Sequence, residues 1–162
     1  MPDAVRYRPA AFHDVRELAE MRWEFRIEET PGLAARHERE AFVTACQAWI
    51  QNVLALGTWT IWLAEAEGRV VSHAFVQLVD KVPRPGRHID RYGYLTNVYT
   101  RPAYRNRGIG GELLEWVKWW ALGADLELLL AWPSEEARPI YERAGFSAED
   151  EAMTLILRPD GE

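Results

Sequence analysis

The residues best suited to do chemistry lie in one short stretch, Arg105-Asn106-Arg107-Gly108-Ile109-Gly110-Gly111. Glycines let the backbone come close to a ligand. From Ile109 apolar residues recur every three or four positions (Leu113, Leu114, Val117, Ala121), so a helix starts here. A helix start presents unpaired N–H groups and a partial positive charge, which together make an anion site suited to a pyrophosphate. Arg101, Arg105 and Arg107 place three positive charges in a chain of formal net charge -6, and that local reversal supports a phosphate-bearing ligand. Other phosphate loops fit worse. A P-loop needs Gly-Lys followed by Ser or Thr, whereas Gly111 and Glu112 follow Gly110; a dinucleotide fingerprint needs a third glycine where Leu113 stands.

The elements that must position this loop can be read from the hydrophobic pattern. Residues 5–9 alternate as a short edge strand, and helical spacing runs from Asp14 to the breaker Thr30-Pro31-Gly32. A second helix spans 36–56, closed by Gly57. Runs 59–66 and 70–79 read as a hairpin around Glu67-Gly68, and 92–100 as a third strand leading into the loop. The helix at 109–122 is followed by a nearly continuous apolar run at 126–132, as a strand covered on both faces would be. A short helix then runs from Pro133-Ser134 through Ala144, with Ser134 as its cap and Glu135 and Glu136 in its first turn. Residues 153–157 read as a last strand. This order implies an α/β fold, a mixed sheet with helices on both faces, in a single domain over 1–162.

Composition narrows the function classes. With 162 residues and 48% hydrophobic content the chain suits one packed domain, and its acidity is unlike that of a general nucleic-acid binder. Cys46 is the only cysteine, which excludes an internal disulfide and a thiolate metal cluster; it reads as a small buried hydrophobe. His13, His37, His73 and His88 lack the spacing of helical metal sites, so no metal is expected. No apolar run is long enough for a membrane span and no export signal stands at residues 1–6, so a cytoplasmic protein is expected. Of the eight tryptophans, Trp59, Trp62 and Trp132 read as packing residues. Trp116, Trp119 and Trp120 cannot all face the core, and an exposed one would mark a homodimer surface.

Arg105-Asn106-Arg107-Gly108-Ile109-Gly110 resembles the Arg/Gln-x-x-Gly-x-Gly/Ala loop of the GNAT superfamily of N-acetyltransferases. Asn97-Val98-Tyr99-Thr100-Arg101-Pro102 is similar to the family's strand into that loop. Ala137-Arg138-Pro139-Ile140-Tyr141-Glu142-Arg143-Ala144-Gly145-Phe146 resembles its C-terminal helix and turn. The resemblance implies a mostly antiparallel sheet splayed at its central strands, and acetyl-coenzyme A as donor. It implies that the pantetheine arm pairs like an extra strand with Val98, Tyr99 and Thr100. The pyrophosphate would sit on Arg105, Asn106, Arg107, Gly108, Ile109, Gly110 and Gly111, with Ser134 counted among the donor-binding candidates.

The resemblance further implies direct attack of a primary amine on the thioester, with Tyr141 as the acid that protonates the leaving thiolate. A phenol can donate to a thiolate held within hydrogen-bond reach. Many family members place a glutamate on the strand before the loop, but no carboxylate lies between Asp90 and Glu112. Tyr94, Asn97 or Tyr99 could hold a water that carries the proton away, or the amine could arrive neutral. Glu24, Glu28 and Glu29 could draw in a cationic amine or form a solvated helix face. The expected function is N-acetyl transfer to a small-molecule or peptide amine, with no nucleic-acid or membrane partner. Its rival, favoured by the missing carboxylate, is a non-catalytic acyl-coenzyme A binding module of the same fold.

Overall fold

The computed structural model describes residues 4–148 and 152–157. Among these residues five strands form one sheet in the order β1-β2-β3-β4-β5. The strands β1 (Arg6–Pro9), β2 (Trp59–Ala66), β3 (Arg69–Asp80) and β4 (Arg91–Thr100) are antiparallel neighbours, and β5 (Leu129–Leu130) joins β4 in parallel. The β2–β3 turn is Glu67-Gly68, both at positive φ (53° and 70°), which matches the twist of the flanking strands.

Side chains alternate across each strand, so β2 sends Ile61 and Leu63 to one face and Trp62 to the other. Helices α1 (Val15–Glu29) and α3 (Arg39–Leu56), separated by the single turn α2 (Leu33–Arg36), cover the first face with Leu18, Met21, Val43 and Ile50. Helices α4 (Ile109–Gly123) and α5 (Arg138–Arg143) cover the second, where Leu113, Leu114 and Val117 meet Trp62, Val76 and Leu95. Leu113 is completely buried, and truncating such a leucine to alanine costs about 2–5 kcal/mol. Arg8 ties the start of α1 to the sheet: its Nη1 and Nη2 donate to Asp14 at 2.7 and 2.8 Å, and Nη2 also donates to Glu65 at 2.7 Å.

Through α4 the expected elements stand within a few residues of the observed ones, except that the second helix starts at Arg39 rather than Arg36, because His37 is extended, and the single turn α2 precedes it unannounced. Downstream three expectations are corrected. The apolar run 126–132 contributes only the two-residue β5, and Leu128 and Trp132 are exposed, because β4 is its only partner strand among the described residues. The helix expected from Pro133 begins at Arg138; Pro139 has no N–H and is accommodated only in a first turn, so the helix starts beside it. Residues 153–157 form no strand: Met153, Leu155, Ile156 and Leu157 are exposed, since an apolar segment without an edge to pair with has no ladder to join.

The tryptophans divide similarly. Trp116 stacks between Tyr7 (6.3 Å) and Trp62 (6.1 Å), Trp120 packs on the second core cluster, and Trp119 is exposed. Among the described residues no helix is long and apolar enough to cross a membrane.

Candidate active site

Strand β5 pairs with β4 only at Gly93↔Leu129 and Tyr94↔Leu130. Beyond that point β4 has no partner on this side among the described residues, so its edge from 95 to 100 is open and the sheet splays. A bulge lies within this open stretch. Phe75 pairs with Thr96 and His73 with Tyr99, which leaves one extra residue on β4, and Asn97 sits at φ 49°.

Two side chains hold Asn97 there. His73 Nδ1–H donates to its carbonyl at 2.8 Å, and Arg22 Nη1 donates to its Oδ1 at 3.0 Å. His73 is completely buried, and burial pushes its pKa down to about 3. The imidazole is therefore neutral, with its proton on Nδ1 facing the carbonyl, and among the described residues the buried Nε2 has no hydrogen-bond partner. So weak a base does not suit proton abstraction near neutral pH; His73 positions the bulge.

From β4 the chain makes a 3-10 turn at Pro102–Tyr104 and then the glycine loop. Gly108 precedes α4 at φ 78°, a conformation that costs an L-residue about 1–2 kcal/mol. Glu112 N–H is the first to bond back, to Gly108 O at 3.0 Å. The N–H groups of Ile109, Gly110 and Gly111 therefore have no intrahelical acceptor and are free for an anion. Gly110 is tightly enclosed: a Cβ there would lie 3.1 Å from Ile140 Cδ1 and 3.2 Å from Thr100 Oγ1, whereas Gly111 is open. Ile109 is buried against Ala64, Ala66 and Val71 and anchors the helix start. Asn106 turns the loop at φ 59°.

Two of the three arginines near the loop pair with carboxylates of α1. Arg105 Nη1 and Nη2 pair with the two oxygens of Glu28 at 2.6 and 2.8 Å, and its Nε donates to Thr100 O at 2.9 Å. Arg101 pairs with Glu17 (3.2 Å) and faces Glu24 (3.8 Å), while Glu29 pairs with Arg26 (2.6 Å). Glu24, Glu28 and Glu29 are thus each matched to an arginine, and Arg105 holds the Glu28 carboxyl below its usual range. Arg107 has no such partner among the described residues; it lies over the Tyr104 ring at 5.2 Å. Tyr99 turns its ring into the first core cluster against Phe25, and burial, with Glu28 beside it, raises its phenol to about 12.

On the other face, α5 buries Tyr141 against Phe146, ring centroids 5.3 Å apart. Burial raises this phenol to about 12, with Tyr94 adding to the effect. Tyr141 lines a cavity of about 470 Å³ beside β5, together with Leu130 and Trp132. Ser134 is exposed and its Oγ accepts from Ala137 N–H at 3.3 Å, ahead of α5. A second cavity, of about 320 Å³, opens between α1, α3 and β4 and includes Arg22, Cys46, Trp49, Trp59 and Asn97. Cys46 lines this wall rather than filling the core, and burial pushes its thiol up.

Sequence reasoning missed Arg22, His73 and this cavity. A signal existed for Arg22, which stands four residues after Leu18 and three before Phe25 on the inward stripe of α1. His73 stands in the apolar run Val70-Val71-Ser72-His73-Ala74-Phe75-Val76.

The splayed mixed sheet, with β4 leading into a glycine loop and a helix start, is the architecture of acetyl-donor-binding α/β domains. Residues 57–148, more than half of the chain, match the acetyltransferase (GNAT) domain, and the chain belongs to that family. It is 28% identical over 97 residues to glucosamine 6-phosphate N-acetyltransferase of Trypanosoma brucei brucei, a match that covers 60% of this chain and 64% of that protein. The chain thus spans less than two thirds of that relative. A Clostridium acetobutylicum protein described as a predicted acetyltransferase, solved with acetyl-CoA, superposes with TM-score 0.75 at 26% identity over 95% of this chain and 97% of that one. Glucosamine-6-phosphate N-acetyltransferase of Arabidopsis thaliana shares the fold (TM-score 0.68, 16% identity, 96% and 100% covered).

Proposed function

We propose that residues 1–162 work as one N-acetyltransferase domain that moves an acetyl group from acetyl-coenzyme A to a primary amine. The observation that carries this reading is the continuity of the open β4 edge with the unpaired N–H groups at the start of α4. Val98, Tyr99 and Thr100 offer backbone groups to the pantetheine amides, and residues 105–111 offer the pyrophosphate its N–H donors. The enclosed Gly110 fits such a cradle, because a side chain there would fill the space between Thr100 and Ile140. Ser134, ahead of α5, is a further donor-binding candidate.

Bound there, acetyl-coenzyme A supplies a thioester carbonyl. The amine nitrogen forms the new N–C bond, the C–S bond breaks, the nitrogen gives up a proton and the leaving thiolate takes one. Tyr141 holds its proton far above neutral pH and is the candidate donor to the thiolate. With Glu24, Glu28 and Glu29 matched to arginines, we assign them to the structure of α1 rather than to amine capture. The exposed Trp119 and Leu122 on α4 would suit a homodimer contact.

Free thiol released from acetyl-coenzyme A is measured with a panel of amines. Release that depends on one amine class is the expected result. Binding of the donor with no turnover on any amine would make the chain the non-catalytic module instead, the reading favoured by the lack of a carboxylate on β4.

A further inference from the structure

Arg22 differs from the other arginines of α1. Arg16 pairs with Glu20 (3.1 Å) and Glu40 (3.2 Å), and Arg26 with Glu29 (2.6 Å). Among the described residues no carboxylate lies within ion-pair distance of Arg22, which bonds Asn97 Oδ1 at 3.0 Å and lies 5.6 Å from the Phe25 ring centre. It forms part of the wall of the 320 Å³ cavity, and the remaining wall is largely aromatic: Phe42, Trp49, Trp59 and Phe75. Burial lowers the Arg22 pKa, with like-charge repulsion from Arg26 adding to it. A guanidinium has five N–H donors in a planar fork that matches a carboxylate. Half-buried among rings, with one donor on Asn97 and no carboxylate paired to it among the described residues, the guanidinium keeps donors for an anion.

We propose that this cavity is the acceptor site and that it takes an amine carrying a carboxylate on a compact aromatic or aliphatic body, with the carboxylate on Arg22. The inference rests on the N-acetyltransferase reading and deepens it. The cavity lies near the lower end of ligand pockets, roughly 300–1,000 Å³, which accommodates one compact amine. A single cation in an apolar wall suits a carboxylate better than a phosphate, which carries up to about two charges and three acceptor oxygens. Thr96 and Asn97 join the cavity to the β4 bulge, so an amine bound here lies next to the open edge assigned to the pantetheine.

The test is calorimetric titration of phenylalanine and of 2-phenylethylamine, which share a body and differ by the carboxylate, with and without coenzyme A. Wild type, Arg22→Gln and Arg22→Lys are compared, and the thermal shift that acetyl-coenzyme A gives each protein reports its fold and donor site. Phenylalanine should bind roughly tenfold or more tighter than 2-phenylethylamine. Arg22→Gln should abolish that ratio and Arg22→Lys should keep part of it. Equal binding, binding of neither, or a preference that survives Arg22→Gln overturns the proposal. So does tighter binding of glucosamine 6-phosphate than of phenylalanine. Failure of the family-level reading is seen separately, as an absent thermal shift with acetyl-coenzyme A, because titration without donor reads the Arg22 cavity directly.

Discussion

Arg105 and Glu28 join the glycine loop to α1: Arg105 Nη2 donates to Glu28 Oε2 at 2.8 Å, and Nη1 forms an ion pair with Oε1 at 2.6 Å. Both side chains are more than a third exposed (38% and 42%), so the pair contributes no more than about 1 kcal/mol. Glu28 titrates below its ordinary value of 4.5 in the folded chain, chiefly through its bond to Arg105. Its contribution is therefore present above that value and fades as the pH falls through and below it. Glu28→Gln should lower the unfolding free energy by less than about 1 kcal/mol at pH 7, and the difference should shrink below pH 4.5. Urea unfolding at a series of pH values checks both the size and the sign.

The three loop glycines should respond differently to substitution. Gly108→Ala must hold a side chain at φ 78° and should cost about 1–2 kcal/mol of stability. Gly110→Val crowds Ile140 and Thr100, whose atoms would lie 3.1 and 3.2 Å from its Cβ, and it should sharply reduce the thermal shift given by acetyl-coenzyme A. Gly111→Ala meets no described residue and, lying within α4, should raise the stability by up to about 1 kcal/mol. Melting curves with and without the donor separate these cases. A full donor shift in Gly110→Val would show that the loop does not hold the pyrophosphate.

His73 gives the fold a specific acid sensitivity. Its folded-state pKa is about 3, depressed by burial from the ordinary 6.5. The unfolded chain therefore takes up this proton first, and stability falls as the pH drops from 6.5 toward 3. Between pH 6.5 and 5 the loss should reach about 1.6 kcal/mol, since the slope grows from half of 1.36 kcal/mol per pH unit at 6.5 to nearly all of it at 5. His73→Gln keeps an N–H for the Asn97 carbonyl and should flatten the pH dependence in that window. An equally steep slope in the variant would assign the effect to other groups.

The parts legible in the sequence were those with a period or a motif. Leu18, Met21 and Phe25, or Leu113, Leu114 and Val117, announce buried helix faces by spacing alone, and the glycine loop announces a helix start. The ending of the chain was less legible because apolar content at 126–132 and 153–157 does not say whether a partner strand lies alongside; only Leu129 and Leu130 find one. The partners of the arginines were hidden for a related reason. Arg101 and Arg105 are near Arg107 in sequence, but the fold sets them against carboxylates of α1 some eighty residues earlier. His73 and Arg22 meet at Asn97 only because β3, β4 and α1 converge there, and that meeting depends on a bulge with no sequence signature of its own.

Tyr141 allows the sharpest test of mechanism. If its hydroxyl protonates the departing thiolate, Tyr141→Phe should keep the ring packed on Phe146 and leave donor affinity nearly intact while lowering kcat. Loss of a positioned acid costs about a hundredfold or more, equivalent to roughly 2.7 kcal/mol of barrier. The wild-type phenol is raised to about 12, chiefly by burial, so it stays protonated well past the ordinary 10. Its ionisation should therefore impose no fall in rate between pH 8 and about 10.5, because the folded-state group titrates above that range. The unfolded chain does ionise near 10, so alkaline conditions should destabilise the fold before they deprotonate the acid. Tyr141→Phe removes that term, and its unfolding free energy should decline less steeply than the wild type's from pH 10 upward. A packing role predicts the same gentler alkaline slope but a kcat within about threefold of wild type, with the chemical step rate-limiting, since Phe keeps the ring's apolar contacts. The kcat ratio near neutral pH therefore decides the role, and the stability profile verifies that burial holds the phenol neutral.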